Sequence, residues 1–267
     1  MLKDITLGQY FPGDTIVHRL DPRTKLILVV LFITALFSAY SYVSYAVMLA
    51  VVFICVALSK VRVKTILKGL KPILFIIIFT AVVNVFFTDG RVLIKFWIIT
   101  ITLEGIVRAV FMIIRITMLI TGTFLLTYTT SPIALTDGLE RLLNPLKKIK
   151  VPVHELSMIM SIALRFIPTL IEETDKIMSA QKARGADFET GKLTDRARAL
   201  VPLLVPLLVS AFRRAEELGT AMECRCYHGG EGRTRMKQLH MSSEDGIALF
   251  LGIALLVGII TLAYFGL

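Results

Sequence analysis

Cysteine is scarce in this sequence, and a motif that would mark an ATPase is missing. Only three cysteines, Cys55, Cys224 and Cys226, occur among 267 residues, so no disulfide framework is expected. No segment reads G-x-x-x-x-G-K-[ST], the loop that binds nucleotide phosphates. We therefore expect that the chain does not hydrolyse ATP itself.

Three short patterns resemble catalytic or metal sites but lack features that such sites need. His154-Glu155 begins like H-E-x-x-H, but Met158 replaces the second histidine. Ser179 and Lys182 form S-x-x-K without the accompanying S-D-N and K-T-G. A third pattern could bind zinc, although structural zinc sites usually have wider ligand spacing. Its ligands would be Cys224, Cys226, His228 and His240. A membrane-bound zinc enzyme is therefore one alternative.

Acidic residues are fewer than basic ones: 20 Asp+Glu stand against 30 Lys+Arg, a net charge of +10. The basic excess lies beside apolar runs, as the positive-inside rule produces, so nucleic acid is not an expected partner. Residues 60–71, which we predict to be a loop after the second span, carry no acid. Residues 131–243, which include a predicted basic, glycine-rich loop at 228–240, are net basic. If both segments are cytoplasmic, the N-terminus lies inside and the C-terminus outside the cytoplasmic (inner) membrane.

Apolar residues are abundant, making up 55% of the chain with a mean hydropathy of +0.75. They are gathered in long uncharged runs, which predicts an all-α integral membrane protein embedded in the lipid bilayer. The run 26–59 would make ~51 Å of helix, too long for one span of about 30 Å, so a turn is expected at 38–42. We predict five transmembrane helices: four at about 25–40, 43–59, 72–87 and 246–265, and the fourth in chain order, which carries Glu104 and runs to Thr130.

Two features of the membrane part allow more than one interpretation. Residues 92–103 are apolar but short, and could be an interfacial piece or the start of the fourth span. Glu104, Arg108 and Arg115 share one helix face, and an arginine exposed to lipid at depth is costly. We expect that face to look into protein or water, either as an interfacial ion pair or as a contact with a partner membrane protein.

Amphipathic patterns between the fourth and last spans predict three cytoplasmic or interfacial helices, two of them long and crossed. The first covers 132–143, and the second runs from Pro152 to Gly185. The third ends at Arg225. Its uncharged centre, 199–212, is too short to span, so it should lie at the membrane boundary and cross the second. The predicted divisions are 1–130 (leader and four spans), 131–243 (helical insert) and 244–267 (last span).

The two long helices end in a repeated pattern. Acidic, aliphatic, hydroxyl and small residues recur 41 positions apart, and the two series end in Arg184 and Arg225. An arginine near a helix C-terminus is favourable with the macrodipole, which explains each arginine singly but not the matched pattern behind them. A guanidinium at a protruding helix end is suited to bidentate pairing with a carboxylate in a groove of another protein.

Three motifs make the chain resemble the CbiQ/EcfT family of transmembrane coupling subunits of energy-coupling factor (ECF) transporters. They are HRLDPRTK at 18–25, QKARGAD at 181–187 and AMECRCY at 221–227. The resemblance covers nearly the whole chain. The second of the family's two arginine motifs, here at 221–227, often contains Ala-Arg-Gly or Ala-Arg-Cys, whereas this chain has Cys224-Arg225-Cys226.

The resemblance implies a non-catalytic subunit of an ATP-driven importer of a vitamin or metal ion. Two cytoplasmic ABC-type ATPases, usually a heterodimer that binds the ATP and Mg²⁺, would dock on the two helix ends. A small membrane protein would capture the substrate, and this chain would bind no cofactor. The implied ATPase-docking residues are Ala183, Arg184, Gly185, Cys224, Arg225 and Cys226. The implied contacts of the capture subunit are Leu139, Leu143, Leu156, Met160, Leu164, Leu203 and Leu207.

A stand-alone secondary transporter or channel is the alternative from a different class. Such folds often contain inverted membrane repeats and helices broken at mid-membrane. The only internal similarity in this sequence is the 41-residue repeat, which falls in the predicted helical insert and not in the spans. The sequence therefore favours the coupling subunit.

Overall fold

The computed structural model describes residues 10–96, 99–186, 188, 193–230 and 238–265. The helices there are α1 Ile16–Arg19, α2 Pro22–Ser38, α3 Tyr42–Ser59, α4 Val63–Leu70, α5 Leu74–Phe87, α6 Leu103–Thr129, α7 Pro132–Leu143, α8 Val153–Ala183, α9 Leu193–Cys224 and α10 Ser243–Phe265. The strands are β1 Val92–Phe96 and β2 Ile99–Thr102. Asp187 of the motif QKARGAD and residues 231–237 of the predicted basic loop lie outside the described residues.

The chain divides into two compact units. Residues 140–238 form one, which we call the helical unit, and it contains α8 and α9. Residues 10–139 and 239–265 belong to the other, which we call the membrane unit. The core of the membrane unit is apolar, with Leu36 and Met48 fully buried.

Five helical segments in the described ranges are long and apolar enough to cross a membrane. Four correspond to predicted spans: α3, the segment Val63–Phe87, α6 and α10. The fifth is α8, whose most apolar stretch has a mean hydropathy of 1.3, against at least 2.1 in the others. The remaining predicted span, at about 25–40, is α2, a helix of 17 residues. The chain is thus a predominantly helical, multi-pass membrane protein.

The basic segment 60–71 was predicted to be a loop, and this was wrong. It contains α4, which continues through the 3₁₀ turn Lys71–Ile73 into α5. Apolar side chains recur in α4 at helical spacing and cover one face, so lysines can occupy the rest. The loop prediction failed because it weighed the charge of the segment and not its period.

In the segment whose conformation the sequence left open, β1 and β2 pair as the two antiparallel strands of a short hairpin. Valine, isoleucine and phenylalanine make up three of the five residues of β1, and isoleucine and threonine make up all of β2; these residue types favour extended backbone. Thr102 then begins α6: its hydroxyl accepts a hydrogen bond from the Gly105 N–H at 3.1 Å and donates one to the Thr88 carbonyl at 2.8 Å. The hairpin therefore ends in the N-cap of the fourth predicted span.

Two charged residues on the polar face of α6 contact other segments of the protein. Glu104 accepts a hydrogen bond from the backbone N–H of Arg91 at 2.7 Å. Arg115 donates to the carbonyl oxygen of Ala39 at 3.0 Å, and its guanidinium lies 5.5 Å from the ring centre of Tyr45. This is a cation–π distance. Arg115 therefore ties α6 to the turn between α2 and α3.

Polar groups join α2, α6 and α10 at one end of the membrane unit. We call them the polar clamp, and its members are Asp21, Lys25, Thr129, Thr130, Ser242 and Asp245. Asp245 is 1% exposed. Its carboxylate accepts hydrogen bonds from the Asp21 N–H at 2.8 Å and from the Ser242 N–H at 2.8 Å. A carboxylate that reaches back to the N-cap N–H is half of a capping box, so Asp245 both starts α10 and holds α2.

Lys25 supplies the other half of the polar clamp. Its ammonium donates to the carbonyl oxygen of Thr129 at 2.9 Å, to the Thr130 hydroxyl at 3.2 Å and to the His18 carbonyl at 3.1 Å. All three protons of the buried ammonium can therefore be satisfied. The motif HRLDPRTK thus fastens the start of α2 to the end of α6.

Candidate functional site: two helix-end arginines

The end of α8 is closed by a Schellman motif around Arg184. The Gly185 N–H donates to the Lys182 carbonyl at 3.0 Å, and the Ala186 N–H donates to the Gln181 carbonyl at 3.0 Å. Gly185 has φ +88°, and a Cβ there would have no atom within 4 Å. These two bonds satisfy carbonyls that a helix end leaves open. Arg184 is the last residue before the chain turns, and its side chain is exposed.

The end of α9 has the same hydrogen bonds 41 residues later. The Cys226 N–H donates to the Glu223 carbonyl at 2.8 Å, and the Tyr227 N–H donates to the Met222 carbonyl at 3.0 Å. Cys226 takes the place of Gly185, with φ 54°. The change from glycine to cysteine therefore leaves the shape of the helix end intact, and Arg225 is exposed in the position that Arg184 has in α8.

The left-handed backbone of Cys226 yields a local prediction. A residue with a Cβ pays about 1 kcal/mol or more in this conformation, so Cys226→Gly should stabilise the helix end and Cys226→Val should destabilise it. Hydrogen exchange of the Tyr227 amide measures this directly, and it should be slower in the glycine variant and faster in the valine variant. Cys224→Ala, at a helical position, is the control. Faster exchange in Cys226→Gly would contradict the prediction.

Both helix ends offer a guanidinium whose N–H groups can face an approaching partner. Arg184 and Arg225 form no side-chain ion pair with any residue that the structure describes. Their neighbours Ala183, Gly185, Cys224 and Cys226 are exposed as well. Small neighbours let a partner surface come close to the guanidinium, whose planar fork matches a carboxylate in two-point pairing.

The repeat also places a contact where α8 and α9 pack against each other. Arg214 donates a hydrogen bond to the Glu173 carboxylate at 2.8 Å. Glu173 precedes Arg184 by 11 residues, and Arg214 precedes Arg225 by 11 residues. The pair therefore lies ~16 Å along each helix from its arginine. We call this contact the crossing pair.

Sequence reasoning did not single out the crossing pair, although a signal for it was present. Glu173 and Arg214 are themselves 41 residues apart, so they are equivalent positions of the repeat. The register marks candidate positions for a contact, but only the structure shows which of them meet, because Glu172 and Arg213 have the same charges and spacing and are both exposed.

The predicted contact surface of the capture subunit is exposed only in part. On α8, Leu156 and Met160 are 50% and 43% exposed. Leu139, Leu143, Leu164 and Leu207 are half-buried. Leu203 is 3% exposed, so it is not part of an exposed face.

The exposed apolar row of α9 lies one position further along the helix than Leu203 and Leu207, the contacts that the family resemblance implies. Its members are Leu200, Val201, Leu204, Val205, Leu208, Val209 and Phe212, each about half exposed or more. Their spacing of i, i+1, i+4, i+5 and so on follows the helical period. Because every position from 203 to 205 is apolar, the period alone could not tell which row faces inwards.

The zinc alternative gains no support from the geometry. Cys224 and Cys226 are exposed free cysteines. Within the ranges that the structure describes, no group of three or more His, Cys, Asp or Glu side chains could hold a metal ion. The two cysteines instead flank Arg225 at the end of α9.

Over most of its length the chain is similar to membrane transport proteins. The CbiQ family model, described as "Cobalt transport protein", matches residues 13–236. A relative from Thermosediminibacter oceani, "Energy-coupling factor transporter transmembrane protein EcfT", is 53% identical over 255 residues, covering 96% of each chain. Relatives of the same name are 51% identical in Ruminiclostridium cellulolyticum, over 99% of each chain, and 50% identical in Bacillus subtilis, over 92% of this chain and 93% of the relative.

Proposed function

Because the chain belongs to the CbiQ/EcfT family and is a transmembrane component of an energy-coupling factor transporter, we propose that it links two cytoplasmic ATPases to a small membrane protein that captures the substrate. The observation that carries the proposal is the pair of identically capped, exposed arginines. Two equal helix ends suit two similar partners. Each arginine pairs with a carboxylate in a groove of one ATPase, and the ATPases bind the ATP and Mg²⁺.

The orientation follows from charge. The basic segment 60–71 and the helical unit lie in the cytoplasm, which puts the N-terminus inside and the C-terminus outside. The helix-end arginines then face the compartment that holds ATP. The chain itself carries no nucleotide-binding loop, so it contributes force transmission and no catalysis.

Movement passes through the crossed helices. When ATP closes the two ATPases, the distance between Arg184 and Arg225 changes. Because α8 and α9 are held together at the crossing pair, a displacement of the arginines rotates the helices about that contact. The apolar rows on the other side of the contact then turn with them. A capture subunit that rests on those rows tilts, and its binding site changes sides of the membrane.

The exposed rows have the chemistry of an adaptable contact. Leucine and valine side chains on α8 and α9 offer apolar groups without directional hydrogen bonds, and Met160 adds an unbranched, flexible side chain. Such a surface accepts different partners. The substrate, a vitamin or a metal ion, is then chosen by the capture subunit and not by this chain.

Co-purification tests the proposal. The tagged chain, isolated from its own membranes in mild detergent, should bring two ATPases and one small hydrophobic protein in a fixed ratio. Proteoliposomes with all four proteins should take up substrate only when ATP is present on the ATPase side. Substrate uptake by the chain alone, driven by an ion gradient, would favour the secondary transporter instead.

Reversing one charge of the crossing pair should uncouple ATP hydrolysis from transport. Glu173→Arg or Arg214→Glu puts like charges in contact and should remove interaction energy of roughly 0.5–3 kcal/mol. Uptake per ATP hydrolysed should fall severalfold, while the ATPases still co-purify because both helix-end arginines remain. Combining the two substitutions restores opposite charges and should recover most of the coupling.

The neighbouring residues provide a matched control for this experiment. Glu172 and Arg213 have the same charges and the same separation of 41 residues, but both are exposed. Glu172→Arg should therefore leave coupling nearly unchanged. A double reversal at the crossing pair that performs no better than the single variants would refute the role of this contact.

A further inference from the structure

A groove edged by lysines lies between α4, α5 and α6 in the membrane unit. Its volume is about 520 Å³, within the usual range for small-molecule sites of roughly 300–1,000 Å³. Lys68 and Lys71 line it, together with Thr117 and otherwise only leucine and isoleucine side chains. The groove therefore combines a hydrocarbon wall with two cationic groups.

The charge at this groove is one-sided. Lys64, Lys68 and Lys71 are spaced i, i+4 and i+7, so they share one face of α4 and the turn that follows it. No acidic residue occurs between positions 60 and 71. Lys68 and Lys71 are exposed, and neither forms an ion pair with a carboxylate in the described part of the chain. The positive potential of this face is thus left for an external anion.

The apolar wall continues onto a surface that the described part of the chain leaves largely uncovered. Leu74 and Ile77 line the groove, and the next residues of α5 include Phe75 and Phe79, which are 77% and 60% exposed. In the segment Val63–Phe87, 6% of the most apolar stretch is buried inside the protein. Such a surface requires hydrocarbon around it. A long apolar chain can therefore enter the groove from the side without crossing a polar barrier.

The occupant must satisfy both chemistries. A peptide strand would leave its backbone N–H and C=O groups without partners against leucine and isoleucine. A neutral lipid would leave the two lysines unused. We propose that this groove binds an anionic phospholipid, with its phosphate group between Lys68 and Lys71 and its acyl chains along Leu74 and Ile77. Basic residues on an amphipathic helix beside a membrane span attract such lipids in the same way.

Lipid retention by the full chain tests the inference. The chain is reconstituted with equal amounts of phosphatidylglycerol and phosphatidylcholine, then purified again in mild detergent, and the retained lipid is quantified by mass spectrometry. The unaltered chain should retain phosphatidylglycerol over phosphatidylcholine. Lys68→Gln with Lys71→Gln should reduce the retained phosphatidylglycerol at least fivefold. Leu74→Trp, which fills the groove and keeps both lysines, should reduce it as well.

A second pair of lysines serves as the matched control. Lys147 and Lys148 are consecutive in the sequence and both exposed, but they do not line the groove. Lys147→Gln with Lys148→Gln should leave retention unchanged, and gel filtration should show that every variant is monodisperse. If both double lysine variants lose the same amount of phosphatidylglycerol, the chain attracts anionic lipid by its overall charge and not through this groove, and the inference is overturned. Undiminished retention in the groove variants, or equal retention of phosphatidylcholine, would also overturn the inference.

Discussion

Replacing both helix-end arginines by alanine is expected to abolish ATP-driven transport. A desolvated charge pair that loses one partner costs about 2–5 kcal/mol, and each 1.4 kcal/mol is about a factor of ten in affinity. Arg184→Ala or Arg225→Ala alone should therefore weaken the binding of one ATPase by roughly 30-fold or more. The double variant loses both contacts and with them the avidity of two-point attachment.

ATPase co-purification and uptake into proteoliposomes measure this effect. Arg213→Ala removes an exposed arginine from α9, the helix that ends beside Arg225. It should change neither ATPase co-purification nor uptake. Arg184→Lys keeps the charge but loses two-point pairing, so it should fall between the alanine variant and the unaltered chain. If the double alanine variant transports at the full rate, Arg184 and Arg225 are not the docking contacts.

Asp245→Ala is expected to lower the free energy of unfolding of the membrane unit by about 3–5 kcal/mol, because breaking a buried charged network leaves its other members unpaired. The Asp21 and Ser242 N–H groups lose their acceptor, and the buried Lys25 ammonium loses a nearby opposite charge. The contact between α10 and the start of α2 should be the first to be lost. Lys25→Met should act in the same direction, since it leaves the Thr129 carbonyl and the Thr130 hydroxyl without their donor.

Thermal unfolding of the protein in detergent, with the yield of folded protein in the membrane, measures the loss. Glu244→Ala removes the adjacent acid, which is exposed in the same first turn of α10. It should cost only about 0.3–1 kcal/mol through the helix dipole. If Asp245→Ala and Glu244→Ala unfold at the same midpoint temperature, the polar clamp does not contribute the stability that we assign to it.

Much of the fold could be read from local patterns. Long uncharged runs indicated the membrane helices, because a bilayer demands about 20 apolar residues per span. Helix starts are equally local: Asp21, which directly precedes Pro22 in the sequence, accepts a hydrogen bond from the Arg23 N–H at 2.9 Å, as an N-cap does. The hairpin at 92–102 could not be read in this way, since short apolar segments suit a strand and a helix equally.

The sequence by itself determined that this protein has membrane-spanning helices and two long helices that end alike in arginine, since composition, helical period and a 41-residue register are properties of the chain alone. Tertiary structure decided what each face meets. It buried Leu203 and not its neighbours, gave Cys226 the backbone of a glycine, and joined Lys25 and Asp245 to partners more than a hundred residues away. Helical period fixes which residues share a face, but only the packing of distant segments fixes which face is covered, and hence where charges such as Glu173 and Arg214 meet.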